Sequence, residues 1–277
     1  MKKFKVGKFF LYIFLILLAL LSVLPFLIMF VNATRSTPQI QQQALSFIPS
    51  TYLMNNWRHL MIGAFDPIVG FQNSFIISAG ATLLAIYFSS LTAYGIVAYD
   101  WKFKRAFFAI IMVILMIPGT IAIIGFFQFM WQIGLNNSLL PLIIPAIASP
   151  GVVFFMRQYL QATLSLEMVE AARIDGSSEF GTFNKIVLPI MKPALATQAI
   201  FIMVGTWNQL FLPSVLLTRP QLWTMPIMVQ QLQGNIYRTE FGAVWLGLSL
   251  TVLPLFVVYA FLSKYIIAGV ALGGVKE

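Results

Sequence analysis

Six long apolar runs constrain this chain more than any other feature, because about 20 residues of helix suffice to cross the hydrocarbon core of a membrane. They lie at about 9 to 31, 72 to 98, 106 to 130, 139 to 159, 194 to 217 and 241 to 263. The runs are continuous and do not alternate with period two, so they predict helices and not barrel strands. Only 9% of the 277 residues are charged, where a soluble domain carries roughly 25%. A water-soluble fold is excluded, and the expected fold class is all-α: a polytopic membrane helical bundle with six transmembrane helices, in one domain over residues 1–277.

The positions of the charges set the orientation. With six spans and an internal N-terminus, the cytoplasmic segments hold Lys2, Lys3, Lys5, Lys8, Lys102, Lys104, Arg105, Arg157, Arg173, Lys185, Lys192, Lys264 and Lys276, and the outer segments hold Arg35, Arg58, Arg219 and Arg238. Thirteen against four places both termini in the cytoplasm by the positive-inside rule. The net charge of +9 is thereby an orientation signal, and nucleic acid is not an expected partner. The first run, about 23 apolar residues after Lys2, Lys3, Lys5 and Lys8, ends in Asn32-Ala33-Thr34-Arg35 without a small-x-small cleavage pattern. It reads as a retained anchor and not a removable leader.

Several chemistries are missing from the sequence. There is no cysteine, hence no disulfide, thiolate metal site or cysteine nucleophile. No run carries an ionisable residue in its interior, with Asp100 and Arg157 at inner ends, which argues against an ion-coupled carrier or an intramembrane hydrolase. No GxxxxGK[ST] phosphate loop is present, so the chain has no such means of hydrolysing ATP. His59, alone in an outer loop, reads as a solvated or packed residue and not a metal ligand. No metal site, cofactor or catalytic residue is expected in this chain.

Among the connections, the outer segments 32–71 and 218–240 are long, but the inner segment at about 160–193 is far longer than joining two helices requires, and such loops are usually functional. Its pattern predicts a helix-turn-helix. Ser165 can cap a first helix with Glu167 and Glu170 in its early turns, Gly176 stands where a left-handed stop is wanted, and Ser177 and Ser178 can cap a second helix to about Val187. Pro189 and Pro193 should end the excursion, with Pro193 opening the fifth run. Val169, Ala172, Phe180 and Phe183 are available for burial.

Glu170-Ala171-Ala172, three residues, Gly176, nine residues, Ile186, one residue, then Leu188-Pro189 is similar to the EAA loop of ABC-importer permeases at its full spacing. The resemblance extends along the chain. Pro25, Asn73-Ser74, Tyr94, Phe103-Lys104-Arg105, Ile117-Pro118-Gly119, Gly134-Leu135, Arg157-Gln158, Trp207-Asn208 and Gly273-Gly274-Val275-Lys276 resemble the maltose-transporter-type sugar permeases, specifically the shorter six-helix subunit. Gln209 departs from the acidic residue that follows the Trp-Asn pair in many members.

The resemblance implies a cytoplasmic ATPase dimer that supplies ATP and Mg chemistry, a second permease, and an extracellular or periplasmic sugar-binding protein that delivers the solute. It further implies an ATPase-coupling role for Glu170, Ala171, Ala172, Asp175, Gly176, Phe183, Ile186, Leu188 and Pro189. Gln128, Trp131, Trp207, Asn208 and Gln209 have the aromatic and amide chemistry to hold a sugar along the path, and equally that of interfacial anchors and interhelical hydrogen bonds. The small-residue stretch Ser78 to Gly95 reads as a helix-packing face. The rival readings are an ion-coupled carrier, a membrane scaffold that transports nothing, and an importer of a solute other than sugar.

Overall fold

The computed structural model describes residues 6–62, 65–233 and 239–274, with side chains over 7–62, 65–119, 121–233 and 239–260. Lys2, Lys3, Lys5, Arg238, Val275 and Lys276 lie outside the described residues, and Lys264 outside the described side chains. Every regular element among the described residues is helical: α1 (Val6–Asn32), α2 (Thr37–Gln42), α3 (Leu53–Ile62), α4 (Pro67–Ala98), α5 (Lys104–Met116), α6 (Ala122–Gln132), α7 (Leu140–Ile143), α8 (Pro150–Thr163), α9 (Leu166–Ile174), α10 (Glu179–Thr182), α11 (Leu188–Ile190), α12 (Lys192–Trp207), α13 (Phe211–Leu216), α14 (Met225–Leu232) and α15 (Phe241–Gly274).

Four stretches are long and apolar enough to cross a membrane, Gly7–Asn32, Pro67–Ala98, Leu140–Thr163 and Phe241–Ala260; a fifth is the pair Glu179–Ile190 and Lys192–Trp207, bent by 79°. The third apolar run is broken in two. Pro118 biases Ile117 to extended backbone, φ −81° and ψ 121°, which stops α5 after 13 residues, before a 3-10 turn at Gly119–Ile121 leads into α6. At about 1.5 Å per residue, neither piece alone crosses the core.

The described chain forms two compact units, one of residues up to Pro67 with Met228–Leu253, the other of Ile68–Ile227 with the chain from Pro254. In the first, the buried Arg35 guanidinium donates to Asn32 Oδ1 at 3.0 Å and to the Gln43 and Gln39 carbonyls at 2.6 and 2.9 Å. A cation out of water is costly unless its donors are satisfied, and here they terminate α2. Gly242 is required in the same unit, since a Cβ there would lie 2.4 Å from the Arg35 carbonyl oxygen and 2.5 Å from the Asn56 amide.

The second unit is organised along α4. Its buried Ser74, Ser78, Ala81, Ala85, Ser89 and Ala93 repeat at three to four residues, the spacing of one helix face, as the small-residue pattern predicts. The hydroxyls of Ser78, Thr82, Ser90 and Thr92 donate to carbonyls four residues back, at 2.5 to 2.8 Å, so they enter an apolar setting already paired. One core joins Ala93 and Tyr94 of α4, Val152, Met156 and Leu160 of α8, Val169 of α9, Phe183, Val187 and Met191 of the segment before α12, and Ala194 of α12. The two ends of α4 hold different segments. Asn73 Nδ2 donates to the Gln221 and Trp223 carbonyls at 3.0 and 3.1 Å, and Ser74 Oγ accepts from the Met225 N–H at 2.9 Å. The far end receives the 160–193 loop.

Candidate coupling site

The loop forms from local signals. Ser165 occupies the N-cap of α9 with extended backbone but makes no side-chain capping bond, whereas Ser178 Oγ accepts from the Gly181 N–H at 3.1 Å and caps α10. Between them lies a Schellman turn: the Ser177 N–H donates to the Ala172 carbonyl at 2.9 Å and the Gly176 N–H to the Arg173 carbonyl at 3.0 Å. Gly176 has φ +78°, the left-handed conformation expected of it. A Cβ there would meet nothing within 4 Å, so the requirement for glycine is one of backbone conformation and not of space.

After α10 the helix widens into a π-turn at Phe183–Val187 and continues through Pro189 to Ile190. The second helix thus runs past the expected end at about Val187, through Pro189 to Ile190. The π-turn has already shifted the hydrogen-bond ladder, with the Leu188 N–H donating to the Phe183 carbonyl, so a residue without an N–H is tolerated immediately after it. The chain bends at Met191, and Pro193 opens α12 as its position predicts.

Phe183 anchors the element. It is fully buried, with Tyr94 and Tyr87 at centroid distances of 5.7 and 5.8 Å, and such burial contributes about 1.5–3 kcal/mol. Val169 and Ala172 are buried as expected, but Phe180 is not: it is 63% exposed, and Ile174 is 87% exposed. Periodicity alone could not distinguish Phe180 from Phe183. Glu170, Ala171, Asp175 and Pro189 are exposed, and Ile186 and Leu188 half-buried. The loop thus has one face built into the core of α4, α8 and α12, and another that leaves Glu170, Ala171, Ile174 and Phe180 in the open.

Arg173 does not pair with Glu170 one turn earlier. Its Nε and Nη2 donate to Glu179 Oε1 and Oε2 at 2.7 and 3.3 Å, and its guanidinium lies 5.3 Å from the Tyr99 ring centroid. The Tyr99 hydroxyl donates to Glu179 Oε2. The Arg173 bond, then that of Tyr99, holds the Glu179 carboxyl below its ordinary range. Desolvation, then the bond to Glu179, pushes the Tyr99 phenol up. This three-residue clamp fastens both helices of the loop to the residue that follows α4, and no sequence motif marks it.

The sugar-path candidates divide into two groups. Gln128 and Trp131 line one open cavity of about 590 Å³ together with Phe127 and Gln132. Trp207 is instead buried, with the Phe71 ring at a centroid distance of 5.6 Å, while Asn208 and Gln209 are exposed where α12 ends. Asn137 makes a long-range tie that the sequence pattern did not signal. Its φ is +54°, and its Oδ1 accepts from the Thr218 and Arg219 N–H groups at 2.7 and 3.2 Å, tying the turn after α6 to the segment after α13. Among the described residues no group of three His, Cys, Asp or Glu side chains is placed to hold a metal ion.

The family model described as binding-protein-dependent transport system inner membrane component matches residues 81–271. The arabinooligosaccharides transport system permease protein AraQ of Halalkalibacterium halodurans is 35% identical over 94% of this chain and 93% of its own. The lactose transport system permease protein LacG of Rhizobium radiobacter is 31% identical over 96% and 95%. A chain of the crystal structure of a bacterial ABC transporter involved in the import of the acidic polysaccharide alginate has the same fold, with a TM-score of 0.79 over 96% of this chain and 98% of that one at 20% identity. The match covers the loop at 160–193, α4 from residue 81 to its C-terminal end, and the core between them, and it places the chain in the binding-protein-dependent transport system inner membrane component family, as a membrane-embedded permease subunit of an ABC importer and not an enzyme.

Proposed function

We propose that this permease, with a second permease beside it, forms the translocation path for a sugar or oligosaccharide delivered by a binding protein, driven by a cytoplasmic ATPase dimer that binds ATP and Mg. It spans the membrane six times in one transmembrane domain, both termini cytoplasmic, with the broken run at 106–130 crossing once and the bent pair contributing α12 alone to the fifth span, its first helix, Glu179–Ile190, remaining in the cytoplasmic loop. Relatives of nearly full-length overlap named for arabinooligosaccharides and lactose support the solute class. The opposite placement of segments 221–225 and 166–190 on the two ends of α4 supports their assignment to opposite membrane faces.

The coupling element is Glu170, Ala171, Ala172, Asp175, Gly176, Phe183, Ile186, Leu188 and Pro189. One observation carries this: Ile174 and Phe180 stand exposed on an element whose opposite face shares a core with three long helices. A partner that grips the exposed face moves the helices, because packed interiors transmit displacement. Gln128 and Trp131 are the path residues best placed for a sugar, and Trp207 supports the wall from within.

The test is reconstitution of the chain with its partner permease, ATPase and binding protein in proteoliposomes, with arabinooligosaccharides and lactose as labelled solutes. ATP-dependent uptake of either is expected. ATP-dependent uptake of a non-sugar solute with no uptake of either sugar would overturn the solute class and leave the coupling role standing.

A further inference from the structure

A second feature at the same end of α4 is not used by coupling. Asp100, Lys102, Lys104, Arg105, Phe108 and Arg157 line a cavity of about 800 Å³, four cationic side chains against one carboxylate. Lys104 Nζ is engaged by the Tyr99 carbonyl at 2.8 Å, but Arg105 and Asp100 are ion-paired neither to each other nor to any other described residue. The Arg157 guanidinium stacks on the Phe108 ring at 4.0 Å and donates from Nη1 to Gln158 at 3.0 Å. Its Nε is buried without a hydrogen-bond partner. Four cations against one carboxylate leave the cavity with an excess of positive charge that a bound anion would offset.

We infer that this cavity binds the phosphodiester of an anionic phospholipid headgroup. A guanidinium matches phosphate oxygens in geometry as well as charge, and basic pockets between spanning helices on the cytoplasmic side are suited to anionic headgroups. The adjacent surface fits the remainder of such a molecule. Toward the middle of α5, Ile110, Val113 and Ile114 are 46–58% exposed, an apolar strip along which an acyl chain can lie, and Trp101 at the cavity edge is 39% exposed, a residue type enriched at the headgroup level. A free phosphate ion would use the cations and leave that strip uncovered.

The test uses the full chain, purified with its partner subunits in mild detergent from mixed vesicles of equal phosphatidylglycerol and phosphatidylcholine, with retained lipid quantified by mass spectrometry. The parent should retain phosphatidylglycerol in clear excess, and Lys102→Gln with Arg105→Gln, both exposed side chains whose loss leaves the core intact, should lower that excess roughly tenfold. Arg157→Lys, which keeps the charge and removes the planar guanidinium, should fall between them, and Arg58→Gln, at an exposed site in α3, should match the parent. Unchanged enrichment in the double variant overturns the proposal. Displacement of the lipid by millimolar inorganic phosphate or glycerol phosphate also overturns it, and assigns the cavity to a soluble phosphate. Enrichment is measured without reference to leaflet or transport, so its failure is distinguishable from failure of the proposed orientation.

Discussion

Arg173 reaches past the turn at Gly176 to hold Glu179, Nε to Oε1 at 2.7 Å, so the two helices of the proposed coupling loop are joined by charge as well as by backbone. Glu179 in turn accepts from Tyr99. An exposed ion pair adds little to the stability of a whole chain, and its consequence here is the angle at which the loop is presented. Glu179→Gln is therefore expected to leave expression and membrane insertion unchanged and to raise the ATP hydrolysed per solute transported. The exchange Arg173→Glu with Glu179→Arg should restore part of the ratio. An unchanged ratio in Glu179→Gln would remove the clamp from coupling.

The same clamp has a pH dependence of fixed sign. The Glu179 carboxyl is held below its ordinary 4.5 by Arg173 and Tyr99, so the folded loop favours the ionised form. That contribution is fully present above 4.5 and is lost as pH falls through the lower folded value. Hydrogen-exchange protection of the 175–182 amides should persist at mildly acidic pH and decline only below the ordinary carboxylate range. Glu179→Gln should show the lowered protection at neutral pH as well.

Gly176 separates strain from charge. Ala at φ +78° costs about 1 kcal/mol, whereas Asn and Asp both reach the left-handed region. Gly176→Asn should thus retain the ATPase on co-purification better than Gly176→Ala, and Gly176→Asp, with a charge against the partner, should retain least, while all three insert normally. Gly181 is unsuitable as a control, because a Cβ there would lie 2.9 Å from the Ser178 Oγ that caps α10. Gly205→Ala, which would meet nothing within 4 Å, serves instead. Equal ATPase retention in Gly176→Asp and the parent would exclude this turn from the docking surface.

Cysteine labelling tests the topology, and the absence of native cysteine makes it direct. Thr182 is a poor probe, being buried with its hydroxyl bonded to Ser177. Exposed Ile48, Gln221 and Ile174 are suitable. An impermeant thiol reagent added to sealed cells should modify Ile48→Cys and Gln221→Cys, and Ile174→Cys only after permeabilisation. Labelling of Ile174→Cys in sealed cells would reverse the orientation.

Energy coupling provides a further check. The apolar runs contain no ionisable side chain in their interiors, and such groups are what a proton- or cation-coupled path requires. Uptake into vesicles loaded with ATP should survive collapse of the proton and sodium gradients. Loss of uptake while internal ATP stays high would contradict ATP as the energy source.

The sequence by itself determined the features that depend on composition and local backbone chemistry. Apolar runs of membrane length specify helices because no other element in a bundle satisfies its own backbone in lipid, and the left-handed stop at Gly176, the cap at Ser178 and the opening of α12 at Pro193 follow from single residues and their neighbours. The motif spacing from Glu170 to Pro189 marked out the loop for which the coupling role is proposed. Tertiary structure decided everything that required two distant segments to meet. Phe180 and Phe183 are equivalent in pattern, but only Phe183 finds Tyr87 and Tyr94. Arg173 had a nearer carboxylate in Glu170 and took Glu179, because the Schellman turn folds α10 back beside Tyr99. Pro189 ends a helix in a local reading, yet the π-turn before it carries the helix on to Ile190. Side-chain pairing across a turn depends on the path of the backbone, and a one-dimensional pattern does not contain that path.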